Sequence, residues 1–220
     1  MRVPAGRSRM IYISGMEIYL IMNQNSSAPR LILASGSPRR RELLAKMGYT
    51  FEICIPDVDE HAVGHARDIV AALSQRKARA AAEHYCEGTV IASDTLVSYQ
   101  GAPLGKPADA ADAFRMLKML SGNTHEVFTG VTLLDAASGR ALTRVVRTGV
   151  TFRPLTDAEI DAYIATGEPM DKAGAYGIQG GAGKFVVQLD GSFENVMGFP
   201  VDDIQDMLSD FSNEAQREAT

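Results

Sequence analysis

The stretch LILASGSPRRRELLAKMG, residues 31–48, decides how the folded part of this chain begins. Its first four residues are apolar and predict a short buried strand, which Ser35-Gly36 then end. Ser37 is a preferred helix N-cap, and Pro38 suits the first helical position because its missing N–H leaves no hydrogen bond unmade there. Gly48 is a natural helix stop. The stretch therefore predicts a strand, a tight turn and a helix.

A turn between a buried strand and a helix N-terminus is a favourable place for an anion. Unpaired backbone N–H groups and the positive end of the helix dipole converge there. Arg39, Arg40 and Arg41 lie in the first helical turn, where cations are unfavourable unless an anion compensates them. This placement favours a phosphate ligand, and the alternative is a capped surface helix with solvated arginines.

Composition limits the kind of protein that this chain can be. It has 220 residues with 45% hydrophobic and 22% charged residues, which is typical of one globular domain or two closely joined lobes. The net charge of −5 argues against a nucleic-acid partner, so the arginine cluster fits a small anionic ligand better. Cys54 and Cys86 match no zinc spacing and are expected to be reduced intracellular thiols.

The N-terminal region needs a separate interpretation. Arginines precede the apolar run 10–22, a pattern that superficially resembles a signal peptide. Glu17 interrupts this run, no small-residue cleavage site follows it, and it is too short to span a membrane. We therefore expect residues 1–29 to be a disordered or loosely attached extension, with Met22 as the better start and no membrane partner.

The rest of the chain intermixes strand and helix patterns. Hairpin turns are predicted at residues 100–101 and 138–139, and Thr156 begins a capping box with Glu159. Neither a repeat nor a low-complexity linker divides residues 30–213, and residues 214–220 form a polar tail that we expect to fray. The pattern favours the α/β class, with a mixed, twisted sheet flanked by helices.

Carboxylates follow predicted strands at several points, where open α/β sheets place their ligand crevices. They are Asp57, Asp59, Glu60 and Asp94. Hard oxygen ligands of this kind suit Mg²⁺ or Mn²⁺. Asp94 follows the predicted strand 89–92, and the residues alone leave open whether it orients water or caps a turn.

Several basic residues are candidates for phosphate contacts. Lys106 is the most suggestive, because Gly105 and Pro107 hold it in a stiff loop, and Lys77 and Lys172 are weaker candidates. The basic face that includes Arg76 is interpreted as solvated, which is usual for such charge runs.

Taken together, these stretches resemble the Maf family of nucleoside triphosphate pyrophosphatases. The matching motifs run in family order over residues 30–210: SGSPRR at 35–40, DVDE at 57–60, QRKA at 75–78, SDT at 93–95, GKP at 105–107, SGNTH at 121–125, DKAGAYGIQG at 171–180 and NVMGFP at 195–200. The resemblance implies two lobes around a deep cleft, related to the inosine triphosphate pyrophosphatase architecture and often found as a homodimer. It also implies a cytoplasmic enzyme that needs a divalent metal cation, Mg²⁺ or Mn²⁺.

The resemblance further implies roles for particular residues. Asp94 corresponds to the proton acceptor for the attacking water, and Glu60 and Asp94 to the metal-associated carboxylates. The phosphate-contacting positions are Ser35, Arg39, Arg40, Lys77 and Lys106.

Substrate preference also follows from the resemblance. Arg40, Thr95 and Gln179 match the branch that hydrolyses dTTP and UTP, with modified pyrimidine nucleotides as further candidates. The expected reaction gives the monophosphate and pyrophosphate, with a link to nucleotide-pool cleaning and cell-division arrest. Two alternatives stay open: a Maf-type enzyme for 7-methyl-GTP or other modified nucleotides, and a nucleotide-binding regulator of septum formation.

Overall fold

The computed structural model describes residues 8–13, 16–21 and 30–218. The strands in these ranges are β1 (Ser8–Ile13), β2 (Met16–Ile21), β3 (Leu31–Ala34), β4 (Phe51–Cys54), β5 (Thr89–Tyr99), β6 (Ala102–Leu104), β7 (Thr124–Asp135), β8 (Ala141–Phe152) and β9 (Val186–Asp190). The α-helices are α1 (Pro38–Lys46), α2 (Ala66–Ala82), α3 (Ala110–Leu120), α4 (Asp157–Ile164), α5 (Phe193–Val196) and α6 (Val201–Glu218). Short 3-10 turns cover Glu168–Asp171, Ala173–Ala175 and Gly181–Phe185.

All described strands join one sheet in the order β1-β2-β4-β3-β5-β7-β8-β9, with β6 paired to β5. The central strand β3 runs parallel to both β4 and β5, whereas the other pairs are antiparallel. Alternate residues of β3 enter two hydrophobic cores: Leu33 packs with residues of α1, α3, α4 and α6, and Ile32 packs with Ala78 and Ala81 of α2. The predicted mixed sheet flanked by helices is confirmed.

The opening strand, turn and helix form as the sequence predicts. All four residues of β3 are buried, α1 begins at Pro38, and Gly48 follows the helix with a φ of +87°. The cap differs from the prediction, because the Ser37 side chain makes no capping bond. The Ser37 N–H instead donates to Ser35 Oγ at 3.2 Å, so the Ser35 side chain is held at the turn.

Strand β5 is longer than predicted and contains Asp94. Ser93-Asp94-Thr95 was expected to end the strand, but β5 runs for 11 residues and pairs with β7 along almost its whole length. Placing Asp94 in a loop is therefore wrong. On the other side of β5, pairing with β3 ends at Ile91, and pairing with β6 begins only at Val97. Asp94 and Thr95 lie in the gap between these two partners.

Helix α2 lies directly on β7. Gly130, which pairs with Asp94 in the sheet, makes this possible, since a Cβ there would be 2.3 Å from the Val70 carbonyl oxygen. Ser74 Oγ also bonds Thr132 Oγ1 at 2.9 Å. Lys77 lies two helical turns beyond Val70 on the same face, so this packing brings Lys77 to Asp94.

Regular secondary structure is present within both terminal regions of the chain. In the N-terminal extension, β1 and β2 form a hairpin, and Tyr19 of β2 pairs with Ile53 of β4. The β-branched and aromatic residues of these segments favour strand, and β4 offers unpaired backbone groups at its edge. Met22, the proposed start, lies outside the described residues. Helix α6 extends through Glu218, into the tail that was expected to fray.

No helix within the described part of the chain is long and apolar enough to cross a membrane.

Candidate active site

A cavity of about 1100 Å³ opens beside β5, at the gap between β3 and β6. It is the deep cleft that the resemblance implied. All of the site residues predicted from the sequence line it: Ser35, Arg39, Arg40, Glu60, Lys77, Asp94, Thr95, Lys106 and Gln179. The fold therefore brings together residues from widely separated parts of the chain.

Lys77 joins the two predicted carboxylates of the site. Its Nζ donates to Asp94 Oδ1 at 2.6 Å and to Glu60 Oε1 at 2.7 Å. The Lys77 and Asp94 side chains are each only 12% exposed, whereas that of Glu60 is 56% exposed. The hydrogen bond from Lys77 lowers the pKa of Glu60, and the positive charges of Lys106 and Arg40 act in the same direction. Glu60 is thus held ionised, with the Lys77 ammonium between it and Asp94.

Arg40 links three parts of the cavity wall by hydrogen bonds. Nη1 donates to the Ser93 carbonyl oxygen at 2.8 Å, and Nε donates to the Gly198 carbonyl oxygen at 3.0 Å. Nη2 donates to Thr95 Oγ1 at 3.3 Å, and Nη1 also reaches Ser35 Oγ at 3.4 Å. Burial lowers the pKa of Arg40. Its guanidinium therefore braces α1 against β5 and the α5 turn.

Thr95 is part of a directed chain of hydrogen bonds. Thr129 Oγ1 donates to the Asn195 carbonyl oxygen at 2.9 Å, so the 2.9 Å bond between the two threonine hydroxyls carries the Thr95 proton. Thr95 Oγ1 in turn accepts from Arg40. The hydroxyl proton of Thr95 consequently points into the protein, away from the cavity. Gly198 completes this wall, because a Cβ there would be 2.9 Å from Thr95 Oγ1.

Arg39 and Lys106 add positive charge to the cavity lining. The Arg39 Nε atom is buried without a hydrogen-bond partner among the described residues. Lys106 is exposed, and the carbonyl oxygen of the preceding Gly105 accepts from the Gly174 N–H at 3.0 Å. Lys172 lowers the pKa of Asp171 by a hydrogen bond, and the charge of Arg39 contributes to the same shift. Lys172 also lines the cavity, so several cationic groups surround it.

Glu60 and Asp94 are the only two predicted carboxylates that could share a metal ion here. Within the described ranges, no group of three or more His, Cys, Asp or Glu side chains is placed to hold one. Asp57 and Asp59 do not line the cavity, and Asp59 Oδ1 accepts from the His61 N–H at 2.8 Å. Two carboxylates fit Mg²⁺ or Mn²⁺ when phosphate oxygens and water complete the coordination.

Arg76 is a functional neighbour that the sequence analysis missed. It was interpreted as part of a solvated face, which is wrong, because its Nη1 donates to the carbonyl oxygens of Asp59 and His61. The side chain thereby holds the loop that carries Glu60. Arg76 stands in the QRKA motif at 75–78, but the motif does not indicate this contact, since the acceptors are backbone atoms of a loop without a regular pattern.

Comparisons with known proteins find similarity over most of the chain. The family model described as Maf-like protein matches residues 30–211. A dTTP/UTP pyrophosphatase of Bdellovibrio bacteriovorus is 47% identical over 190 residues, which cover 83% of this chain and 99% of that protein. Proteins of the same name from Bacillus cereus and Bacillus cytotoxicus are 44% and 47% identical, over 87% and 84% of this chain and 95% and 97% of their own lengths. The chain belongs to the Maf-like protein family.

Proposed function

We propose that this protein is a nucleoside triphosphate pyrophosphatase that hydrolyses dTTP and UTP to the monophosphate and pyrophosphate. The observation that carries the proposal is the cavity itself, where an aspartate lies among several cationic side chains. The names of the relatives support the same substrates.

The triphosphate binds to the cationic groups of the cavity. Arg39 and Lys106 line this cavity, and Ser35 lies at the turn before α1, where helix N–H groups favour an anion. Phosphoryl transfer depends more on positioning and charge neutralisation than on covalent help from the protein. The unpaired Nε of Arg39 is a donor available for this purpose.

Asp94 accepts the proton of the attacking water. As water adds to phosphorus, the bond between the α- and β-phosphates breaks and pyrophosphate leaves. A divalent cation held by Glu60 and Asp94, Mg²⁺ or Mn²⁺, would supply further neutralisation of the triphosphate charge. Lys77, whose ammonium bonds both carboxylates, would have to turn to the phosphates before Asp94 could take the proton.

Nucleobase preference comes from Gln179 and from the wall that Arg40 and Thr95 build. Gln179 is exposed on the cavity side of its turn, where its amide can pair with the polar edge of a pyrimidine. Arg40 and Thr95 use their donors within the protein. They therefore shape the site and present the Thr95 oxygen, while Gln179 makes the directional contact.

Pyrophosphate release from a panel of nucleotides tests the proposal. With Mg²⁺ or Mn²⁺ we expect the highest kcat/KM for dTTP and UTP, compared with the other nucleotides and with 7-methyl-GTP. Preference for 7-methyl-GTP would instead favour the alternative enzyme. Tight nucleotide binding without pyrophosphate release under any metal would favour the regulator.

Replacement of the proposed proton acceptor tests the mechanism. Asp94→Asn keeps the size of the side chain, and we expect kcat to fall by about 10²–10⁴ because a general base of this kind contributes that much. Nucleotide binding, measured by calorimetry, should persist. An unchanged kcat in this variant would contradict the role of Asp94.

A further inference from the structure

Hydrogen bonds hold the turn that carries Gln179 on both sides of that residue. Before it, the Gly177 N–H donates to Tyr163 Oη at 3.1 Å. After it, the Gly181 N–H donates to Glu168 Oε2 at 3.0 Å. Tyr163 Oη also donates to Glu168 Oε1 at 2.9 Å. The Glu168 carboxylate therefore supports the turn on both sides of Gln179, directly at Gly181 and through Tyr163 at Gly177.

The directions of these hydrogen bonds require a carboxylate at residue 168. Tyr163 Oη accepts a hydrogen bond from a backbone N–H and donates one to Oε1 of Glu168. The second oxygen of Glu168 accepts from another backbone N–H. An ionised carboxylate accepts on both oxygens, whereas an amide of the same shape accepts on only one.

Glu168 lines the cavity, and both of its oxygens are engaged by the protein. Each of them accepts a hydrogen bond, one from Tyr163 Oη and one from the Gly181 N–H. Its backbone is held as well, since the carbonyl oxygen accepts from Lys172 Nζ at 2.8 Å and the N–H donates to Thr166 Oγ1 at 3.2 Å. Both the side chain and the backbone of Glu168 are therefore held by hydrogen bonds to the protein.

The glycines of the turn fit it to this carboxylate. A Cβ at Gly180 would be 1.9 Å from Glu168 Oε1, and a Cβ at Gly177 would be 2.7 Å from Lys172 Cε. No side chain fits between the turn and the residues beneath it. The backbone on either side of Gln179 therefore lies directly on Glu168, whose position determines that of the turn.

We propose that Glu168, acting with Tyr163, is a positioning residue for nucleobase selection. It fixes the turn from Tyr176 to Gly181 and thereby sets where the Gln179 amide meets the base. The inference rests on the proposed function, in which Gln179 selects the nucleotide. Under this proposal Glu168 and Tyr163 contribute to specificity although they touch neither the base nor the phosphates.

Glu168→Gln is the first test, because it keeps the side-chain shape and leaves one donor of the pair without an acceptor. We expect KM for dTTP and UTP to rise about tenfold, the effect of one buried hydrogen bond, with kcat changed by less than about threefold. Discrimination against dCTP and dATP should fall by a similar factor. Tyr163→Phe should act in the same direction. Glu83→Gln, at an exposed residue outside the cavity lining, is the matched control.

A double-mutant cycle with Gln179→Ala separates positioning from general destabilisation. If Glu168 acts through Gln179, the Glu168→Gln change should have little further effect on discrimination once Gln179 is truncated. Additive effects on discrimination would overturn the inference, and so would wild-type constants for both Glu168→Gln and Tyr163→Phe. Thermal unfolding checks that each variant is folded, and Tyr163→Phe decides the matter if Glu168→Gln is not.

The failure of the underlying function would look different. A wild-type protein that releases no pyrophosphate from dTTP or UTP would contradict the proposed function and the inference with it. An active wild-type protein whose discrimination depends on Gln179 but not on Glu168 or Tyr163 would contradict the inference alone.

Discussion

Lys77 places its ammonium group between Asp94 and Glu60, at hydrogen-bond distance from both. In this arrangement, the lysine neutralises the carboxylates that are proposed to associate with the metal. A divalent cation and the ammonium cannot share this position without strong repulsion. A metal ion bound by these carboxylates would therefore have to exchange with the Lys77 ammonium.

This exchange predicts that Lys77→Met binds Mn²⁺ more tightly than the wild-type protein in the absence of nucleotide. We expect affinity to rise at least about tenfold, because the repulsion between close cations at a partly buried site exceeds the free energy of that factor. Hydrolysis should be lost in the same variant. Free Mn²⁺ measured by electron paramagnetic resonance gives the affinity.

Lys106→Met is the control for this measurement, since Lys106 is exposed and is not part of the ion pairs of Asp94 and Glu60. Its Mn²⁺ affinity should change much less. Equal or weaker binding in Lys77→Met would show that the lysine does not compete with the metal.

Among single residues, the sequence predicts which side chains belong to the site better than it predicts which groups they contact. Asp94 and Lys77 stand in motifs that resemble a known family, so their importance could be predicted. The roles of Arg76 and Glu168 could not, because they act on backbone groups of loops. Such contacts leave no spacing pattern in the sequence.

Among the elements, the packing of α2 on β7 controls the distance from Lys77 to Asp94. Gly130→Ala would place a methyl group against the backbone of α2, which cannot rotate away as a side chain can. We expect the free energy of unfolding to fall by about 1–3 kcal/mol, as overpacking usually costs. We also expect kcat to fall, because the helix that carries Lys77 must shift.

Urea unfolding and pyrophosphate release measure the two effects. Gly149→Ala in β8 is the matched control, since the nearest atom to a Cβ there is the Asp190 Cβ at 3.3 Å, on a residue with an exposed side chain. The helix-packing explanation would be wrong if both alanine variants lost the same stability and kept full activity.

A buried histidine of β7, His125, should make the stability of the fold depend on pH. His125 Nε2 bonds Tyr176 Oη at 2.8 Å, and burial lowers the pKa of His125 to about 4. An unfolded histidine has a pKa of about 6.5, so above that pH both states are neutral. As pH falls from about 6.5 to about 4, the unfolded chain takes up a proton that the folded chain does not, and stability is lost.

The expected loss from His125 is about 2 kcal/mol between pH 7.5 and pH 5. Urea unfolding of the wild type and of His125→Gln at both pH values isolates it, because the variant lacks this titration. The difference in unfolding free energy between the two pH values should be smaller in the variant by that amount. Equal pH dependence of the two proteins would place the titration elsewhere.

The predicted elements agree with the structure best where neighbouring residues alone determine the backbone, as in helix caps and tight turns. The capping box of Thr156 and Glu159 forms, and the turns at residues 100–101 and 138–139 join the strands that were expected. The prediction failed at Ser93-Asp94-Thr95, which has the composition of a turn. Pairing with β7 outweighs that local preference, because it satisfies the backbone of β5 on one side.

For the whole molecule, charge is distributed unevenly. The chain carries a net charge of −5, yet five cationic side chains line the cavity: Arg39, Arg40, Lys77, Lys106 and Lys172. Four carboxylates also line it, so the lining keeps an excess of positive charge, opposite in sign to the whole chain, which favours an anionic substrate at the site.

This distribution predicts that salt raises KM for dTTP more than it changes kcat. Between about 0.05 and about 0.5 M ionic strength, screening weakens the attraction between the cavity and the approaching triphosphate. Initial rates at several salt concentrations and fixed metal concentration measure the trend. Lys106→Met should reduce the slope, and a KM independent of salt would contradict an electrostatic contribution to binding.

Asp94 and Thr95 are consecutive residues of β5, and consecutive side chains of a strand point to opposite faces. The cavity reaches both, because the neighbouring strand β3 ends before them. Under the proposed roles, bond cleavage and choice of nucleotide belong to the two faces of a single strand. Mutation and selection can then alter residue 95 and its surroundings without displacing the aspartate. A lineage with this fold can acquire a new substrate while it keeps its chemistry.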